Sequence, residues 1–143
     1  MSSRKAIVDA LIEEFKKIDG NAPYTTNLFN NVVGKQKFWD ECTDFPTVCI
    51  VAGTETREYL PGSFQWGHLG ISLKLYVKAE EPADLLENLI NDIQVVINNN
   101  SRLQFGSGKE TADIRILSIV TDEGLLVPYG IGEVNISIQY QVL

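Results

Sequence analysis

His68, Cys42 and Cys49 are the residues whose types could do covalent chemistry or bind a metal. His68 is the only histidine and the two cysteines are the only thiols. Nucleophilic catalysis needs a base beside a serine or cysteine. His68 sits at the mouth of an alternating apolar segment, the position of a polar strand-end residue. Cys49 lies within the apolar run Val48-Cys-Ile-Val51, where an apolar setting suppresses the thiolate. Cys42 lies in the acidic segment Asp40-Glu-Cys-Thr-Asp44, which disfavours a thiolate as well. Structural zinc takes four Cys/His ligands at set spacings, and this chain has three such residues at none of those spacings. The sequence therefore predicts no metal and no disulfide. Free thiols suit a reducing compartment.

The carboxylates read as structural. Glu13 and Glu14 fall on the solvent side of a helical pattern. Glu80, Glu81 and Asp84 open a second helical pattern, where they favour its dipole. Asp122-Glu-Gly124 is a turn. Gly106-Ser-Gly-Lys109 lacks the spacing and the Lys-Ser/Thr ending of a phosphate loop. No catalytic residue and no cofactor site are expected.

Partner-binding residues stand out more. Tyr59, Leu60, Phe64 and Trp66 are four large apolar groups in a Pro/Gly-punctuated segment, and aromatic residues dominate interface hot spots. Leu125, Leu126 and Tyr129 crowd a turn. Asn135, Ser137, Gln139 and Gln141 make an uncharged polar face on the last strand. Amides and hydroxyls hydrogen-bond across a contact without the desolvation cost of ions. These eleven residues are the candidate subunit-interface residues.

The elements that must position them follow from periodicity. Ile7, Ala10, Leu11, Phe15 and Ile18 form an apolar stripe that predicts a helix over 3–18, with Ser2 or Ser3 as cap and Gly20 as stop. Residues 32–38 predict a short strand broken at Gly34, and 46–52 a buried strand. Residues 54–67 predict a long hairpin arm or an ordered loop. Leu69, Ile71, Leu73, Leu75 and Val77 alternate as one face of a strand. Pro82 opens a second helix, whose stripe runs from Leu85 to Ile97. A loop over 101–109 follows, then a strand over 112–121 with Ile114, Ile116 and Val120 on one side. The last strand, 133–142, turns Val134, Ile136, Ile138, Tyr140 and Val142 inward. The fold class is α+β: a mainly antiparallel sheet of four to five strands, with two helices on one face.

The chain has 143 residues and a net charge of −7. That length suits one domain over 1–143 with its own core. The charge argues against ordinary nucleic-acid binding, which needs a basic patch. No apolar run approaches the ~20 residues of a membrane span.

Four stretches resemble the tail terminator proteins of long-tailed bacteriophages, the group that includes the lambda minor tail protein U. They are the helix Arg4-Lys-Ala-Ile-Val-Asp-Ala-Leu11, the strand opening Phe45-Pro-Thr-Val-Cys-Ile-Val-Ala-Gly53, the strand Leu69-Gly-Ile-Ser-Leu-Lys-Leu-Tyr-Val-Lys78 before its acidic helix, and the closing strand Gly130-Ile-Gly-Glu-Val-Asn-Ile-Ser-Ile-Gln-Tyr-Gln-Val142. The resemblance implies a structural virion protein without enzymatic activity or cofactor. It would form a hexameric ring that caps the tail tube, ends its polymerisation and meets the neck or connector protein. Genome DNA would pass through the hole, and assembly would take place in the host cytoplasm. Two other readings stay open on the sequence: another neck or head-completion protein, and a small-molecule-binding α/β domain or enzyme with polar groups near His68 or Asp113.

Overall fold

The computed structural model describes residues 2–142. Helix α1 spans Ser3–Phe15. The Ser2 hydroxyl caps it, accepting from the Lys5 amide at 3.1 Å. Such a cap is worth roughly 1 kcal/mol. Ile7, Val8, Leu11 and Phe15 are its buried stripe, and Ile18 is buried just past its end. Helix α2 spans Pro82–Asn99 and buries Leu86, Leu89, Ile90, Ile93, Val96 and Ile97. Its N-terminal Pro82 costs no intrahelical hydrogen bond.

The strands are β1 (Val32–Val33), β2 (Thr47–Leu60), β3 (Phe64–Lys78), β4 (Gln104–Gly106), β5 (Lys109–Glu110), β6 (Asp113–Thr121) and β7 (Tyr129–Val142). Five of them form one sheet in the order β1-β2-β3-β7-β6, while β4 and β5 form a small separate hairpin. Every pairing in the main sheet is antiparallel except β1 with β2. Both helices lie on one face, α1 against β1 and β2, and α2 against β3, β6 and β7. The expected class and sheet are what the chain adopts.

Alternation decides which residues enter the core. Leu69, Ile71, Leu73, Leu75 and Val77 of β3 pack beside Val134, Ile136, Ile138 and Tyr140 of β7, all under the helices. Burying a side chain of this size is worth about 1.5–3 kcal/mol, so this face fixes the register.

Several local expectations change. The segment 54–67 is the long hairpin arm and not an ordered loop: it is the far end of two single long strands, β2 and β3, joined at a tight turn over 61–63. His68 therefore lies inside β3, not at its mouth. The predicted strand over 32–38 survives only as Val32–Val33. The loop over 101–109 contains the β4–β5 hairpin. In β6 the register slips between Ile116 and Ser118. This bulge puts Ile119 in line with Val134 and turns Val120 to the opposite face, against Glu133. A β-bulge adds one residue to one strand and reverses the alternation beyond it.

Candidate functional site

The sheet face away from the helices carries the candidate contact residues. Asn135, Ser137, Gln139 and Gln141 alternate with the buried residues of β7 and so point to this open face. Opposite them on β3 stand Ser72, Gly70, His68 and Trp66. Two hydrogen bonds fix the row: Ser72 Oγ donates to Asn135 Oδ1 at 2.9 Å, and Asn135 Nδ2 donates to Ser118 Oγ at 3.0 Å. Lys74 and Glu133 form an ion pair across the same rung set.

One end of this face is covered by the chain itself. The Tyr76 hydroxyl donates to the Lys37 carbonyl at 2.6 Å, and burial pushes the Tyr76 phenol up in pKa. Trp39 and Phe45 stack against Tyr129 with ring centroids 5.0 and 5.7 Å apart. Residues 36–39 thereby wall a cleft of about 410 Å³ whose far side is Val120, Ile131 and Glu133. Burial likewise raises the pKa of Cys49, beneath this segment, and of Cys42. Both thiols are free.

The other end of the face runs onto the protruding β2–β3 arm. Leu60 pairs with Phe64, Glu58 with Trp66 and Thr56 with His68. Alternation puts Leu60, Phe64 and Trp66 on the open face and Tyr59 on the opposite one. Tyr59 is 71% exposed and Phe64 52%, while Trp66 is half-buried. At the covered end, Leu125 is 80% exposed, Leu126 and Val127 are exposed, and Tyr129 is held by Trp39 and Phe45. The eleven candidates thus fall at three places, the arm tip, the amide row and the 125–129 turn; Trp66, opposite Gln141, joins the first two along one face, and the turn lies at the other end.

Residue types suited to catalysis meet in one hollow. His68, Asp113, Ser137, Arg115, Leu117 and Gln139 line about 300 Å³ of the open face. Their hydrogen bonds lead elsewhere. The Asp113 carboxylate accepts from Arg115 Nε at 2.7 Å, and His68 Nε2 lies 3.3 Å from Glu58 Oε1. Among the described residues neither His68 nor Asp113 is hydrogen-bonded to Ser137. A nucleophile–base–orienter chain needs those links.

Two buried polar groups escape sequence reading. Asp92, within α2, is fully buried. It accepts from the Thr25 and Thr26 amides and from Thr26 Oγ1, the last two at 2.7 and 2.5 Å. It pins the loop after α1 to the second helix. Glu55 lies under the root of the arm and accepts from the Tyr140 hydroxyl at 2.7 Å. A carboxylate among the leucines of α2 and a tyrosine at an inward strand position were the available signals.

A family model described as Bacteriophage Tail Tube Terminator Protein matches residues 1–143. The tail tube terminator protein p142 of Escherichia phage T5 is 36% identical over 153 aligned positions, covering 99% of this chain and 95% of that protein. A chain from the virion of a native gene transfer agent particle superposes with a TM-score of 0.61 at 9% identity, covering 96% of this chain and 98% of that one. That last likeness is one of fold.

Proposed function

The chain belongs to the bacteriophage tail tube terminator family, and on that premise we propose that it closes into a hexameric ring on the end of the tail tube. It is a structural component of the virion, and it terminates the tube. In this reading a single domain over 1–143 makes all the contacts. One rim of the ring binds the last turn of tail tube protein and blocks further addition. The other rim offers the surface that the neck or connector protein joins, and the genome passes through the hole. Assembly takes place in the host cytoplasm, and no catalytic step or cofactor is involved.

The exposed arm tip carries the proposal. Tyr59, Leu60 and Phe64 stand on a two-stranded projection beyond the core, where a lone subunit leaves much of their apolar surface in water. Covering groups of this size is worth roughly 1.5–3 kcal/mol each. The exposed Leu125 and Leu126, with Tyr129 beside them, offer a second contact at the opposite end of the sheet, and the row Asn135, Ser137, Gln139 and Gln141 a third, polar one. Contacts at different places on one subunit make a heterologous interface, the kind that closes into rings. A ring of subunits each carrying −7 repels phosphate and lets DNA slide.

Interruption of the gene in the phage tests this. Tails should then grow to uncontrolled length and fail to join heads, and supplying the protein in trans should restore both. Tails of normal length without the protein would contradict the proposal.

A further inference from the structure

Three segments meet around Pro128 and Tyr129, at the end of the subunit away from the arm. Trp39 and Phe45 stack on the Tyr129 ring. The Ala79 amide donates to the Pro128 carbonyl at 3.0 Å, and residues 122–128 form the turn between β6 and β7. Phe38, Trp39, Leu125, Leu126 and Val127 are exposed on these segments. Val120 is exposed at the lip of the cleft of about 410 Å³ that Phe38 and Trp39 wall. A lone subunit leaves this surface in water, and exposed apolar patches rimmed by polar residues mark interaction sites.

Charge decides what can cover it. Residues 35–45, 78–84 and 122–129 hold eight carboxylates and three lysines, and so carry five of the chain's seven net negative charges. Asp40, Glu41, Glu80, Glu81 and Glu123 are exposed. Among the described residues none of these five has an ion-pair partner. Toward the arm the carboxylates are matched. Glu55 meets Arg57, Glu58 meets His68, Glu110 meets Arg102 and Asp113 meets Arg115, none of them more than 3.9 Å apart. One end of the subunit is balanced in charge and the other is acidic.

Resting on the ring reading above, we propose that the acidic end docks a second kind of virion protein, one whose contacting surface sets lysines or arginines around apolar side chains that enter the cleft beside Phe38 and Val120. The other occupants fit less well. Two acidic ends repel each other, and the arginines near the arm of a second copy are already held by Glu55, Glu110 and Asp113. Nucleic acid and anionic lipid carry the same sign as this end. A metal ion would leave the apolar groups in water. A basic protein surface with an apolar centre answers both the charge and the exposed side chains, and interfaces commonly have an apolar core within a polar rim.

The two axial surfaces of the ring are then chemically unlike. One is read by charge around an apolar cleft, the other by the aromatic arm. Opposite charges across a contact speed encounter and reject wrong partners, so a subunit seats on its neighbours one way up.

Neutral replacements of the same size test the docking end. Asp40→Asn, Glu41→Gln, Glu80→Gln and Glu81→Gln are combined in the full chain and supplied in trans to phage whose own gene is interrupted. The variant should still form rings in negative stain but fail at one axial step. Overgrown tails would place the tube at this end, and headless tails of normal length would place the neck there. Leu125→Ser with Val127→Ser should fail at that same step. For the parent protein added to tails lacking it, the step should weaken on the order of tenfold or more between about 50 and 500 mM salt, and the neutral variant should show less salt dependence. Both steps intact in the neutral variant, failure of the two serine replacements at the other step, or a parent protein indifferent to salt overturns the docking proposal and leaves the ring reading standing. Loss of the rings themselves in the neutral variant would make the occupant a second copy and overturns it as well. Absence of rings with the parent protein overturns the ring reading, while the two axial steps still decide the docking end.

Discussion

The hydroxyl of Tyr140 donates to Glu55 Oε1 at 2.7 Å, joining the last strand to the root of the protruding arm. Glu55 also binds Arg57, so a buried tyrosine, a buried carboxylate and a surface arginine form one chain of contacts. The Tyr140 ring is buried and meets Phe105 edge-on at 6.0 Å. This network holds the arm in line with the sheet.

Burial, then the hydrogen bond to Glu55, pushes the Tyr140 phenol up to about 12. Its folded value lies above that of an unfolded tyrosine, about 10. Its contribution to stability is therefore complete below pH 10 and is lost as pH rises through 12. Up to roughly 2–3 kcal/mol should disappear across that window. Urea midpoints measured from pH 9 to 12 should show the decline, and Tyr140→Phe should make it shallower. An equally steep decline in the variant would assign it to other groups.

Gly67 faces the same tyrosine. A Cβ placed there would lie 2.8 Å from Tyr140 Cε1 and 3.1 Å from Val142 Cγ2. Gly67→Ala should cost about 1–3 kcal/mol, the usual range for overpacking. Gly53→Ala, whose Cβ meets only the Gly70 carbonyl oxygen at 3.7 Å, should cost less. Thermal unfolding of both variants checks the difference.

Removal of the Asp92 carboxylate strands the amides of Thr25 and Thr26 without their acceptor. Asp92→Ala should cost about 1–3 kcal/mol, since the amide of buried Thr26 then carries its full desolvation penalty, while exposed Thr25 can turn to water. Hydrogen exchange should show the loss first at residues 25 and 26. Exchange there unchanged from the parent protein would contradict the role given to Asp92.

Polar replacement of the arm tip should separate folding from assembly. Tyr59→Ser with Phe64→Ser should leave the unfolding midpoint nearly unchanged, because exposed positions contribute within about 0.5 kcal/mol. Ring formation and control of tail length should fail. A large loss of monomer stability would show that the tip packs on its own subunit.

Much of this fold is legible from alternation and helical stripes, because one buried face repeats every two residues in β3 and β7 and about every three to four in the helices. The uncharged row from Asn135 to Gln141 is legible for the same reason. The arm was ambiguous because residues 54–60 are mostly polar and have no core face to reveal a strand; only pairing with β3 makes them one. Alternation alone puts Val120 on the face of Ile114 and Ile116; the bulge at Leu117, which depends on the partner strand, turns it to the other. That residues 36–39 lie over the sheet, or that Asp92 is buried, follows from long-range contacts that no local pattern encodes. The resemblance to tail terminators rests on the same alternating strands, and the family match over residues 1–143 confirms it.

Reconstruction of the tail end by electron cryomicroscopy tests the central claim most directly. It should show a closed six-membered ring of this protein capping the tube, with the arm tip around Tyr59 and Phe64 covered at a subunit or tube contact. A lone subunit at the tube end, or a ring whose arm tips all stand free in solvent, would contradict the account.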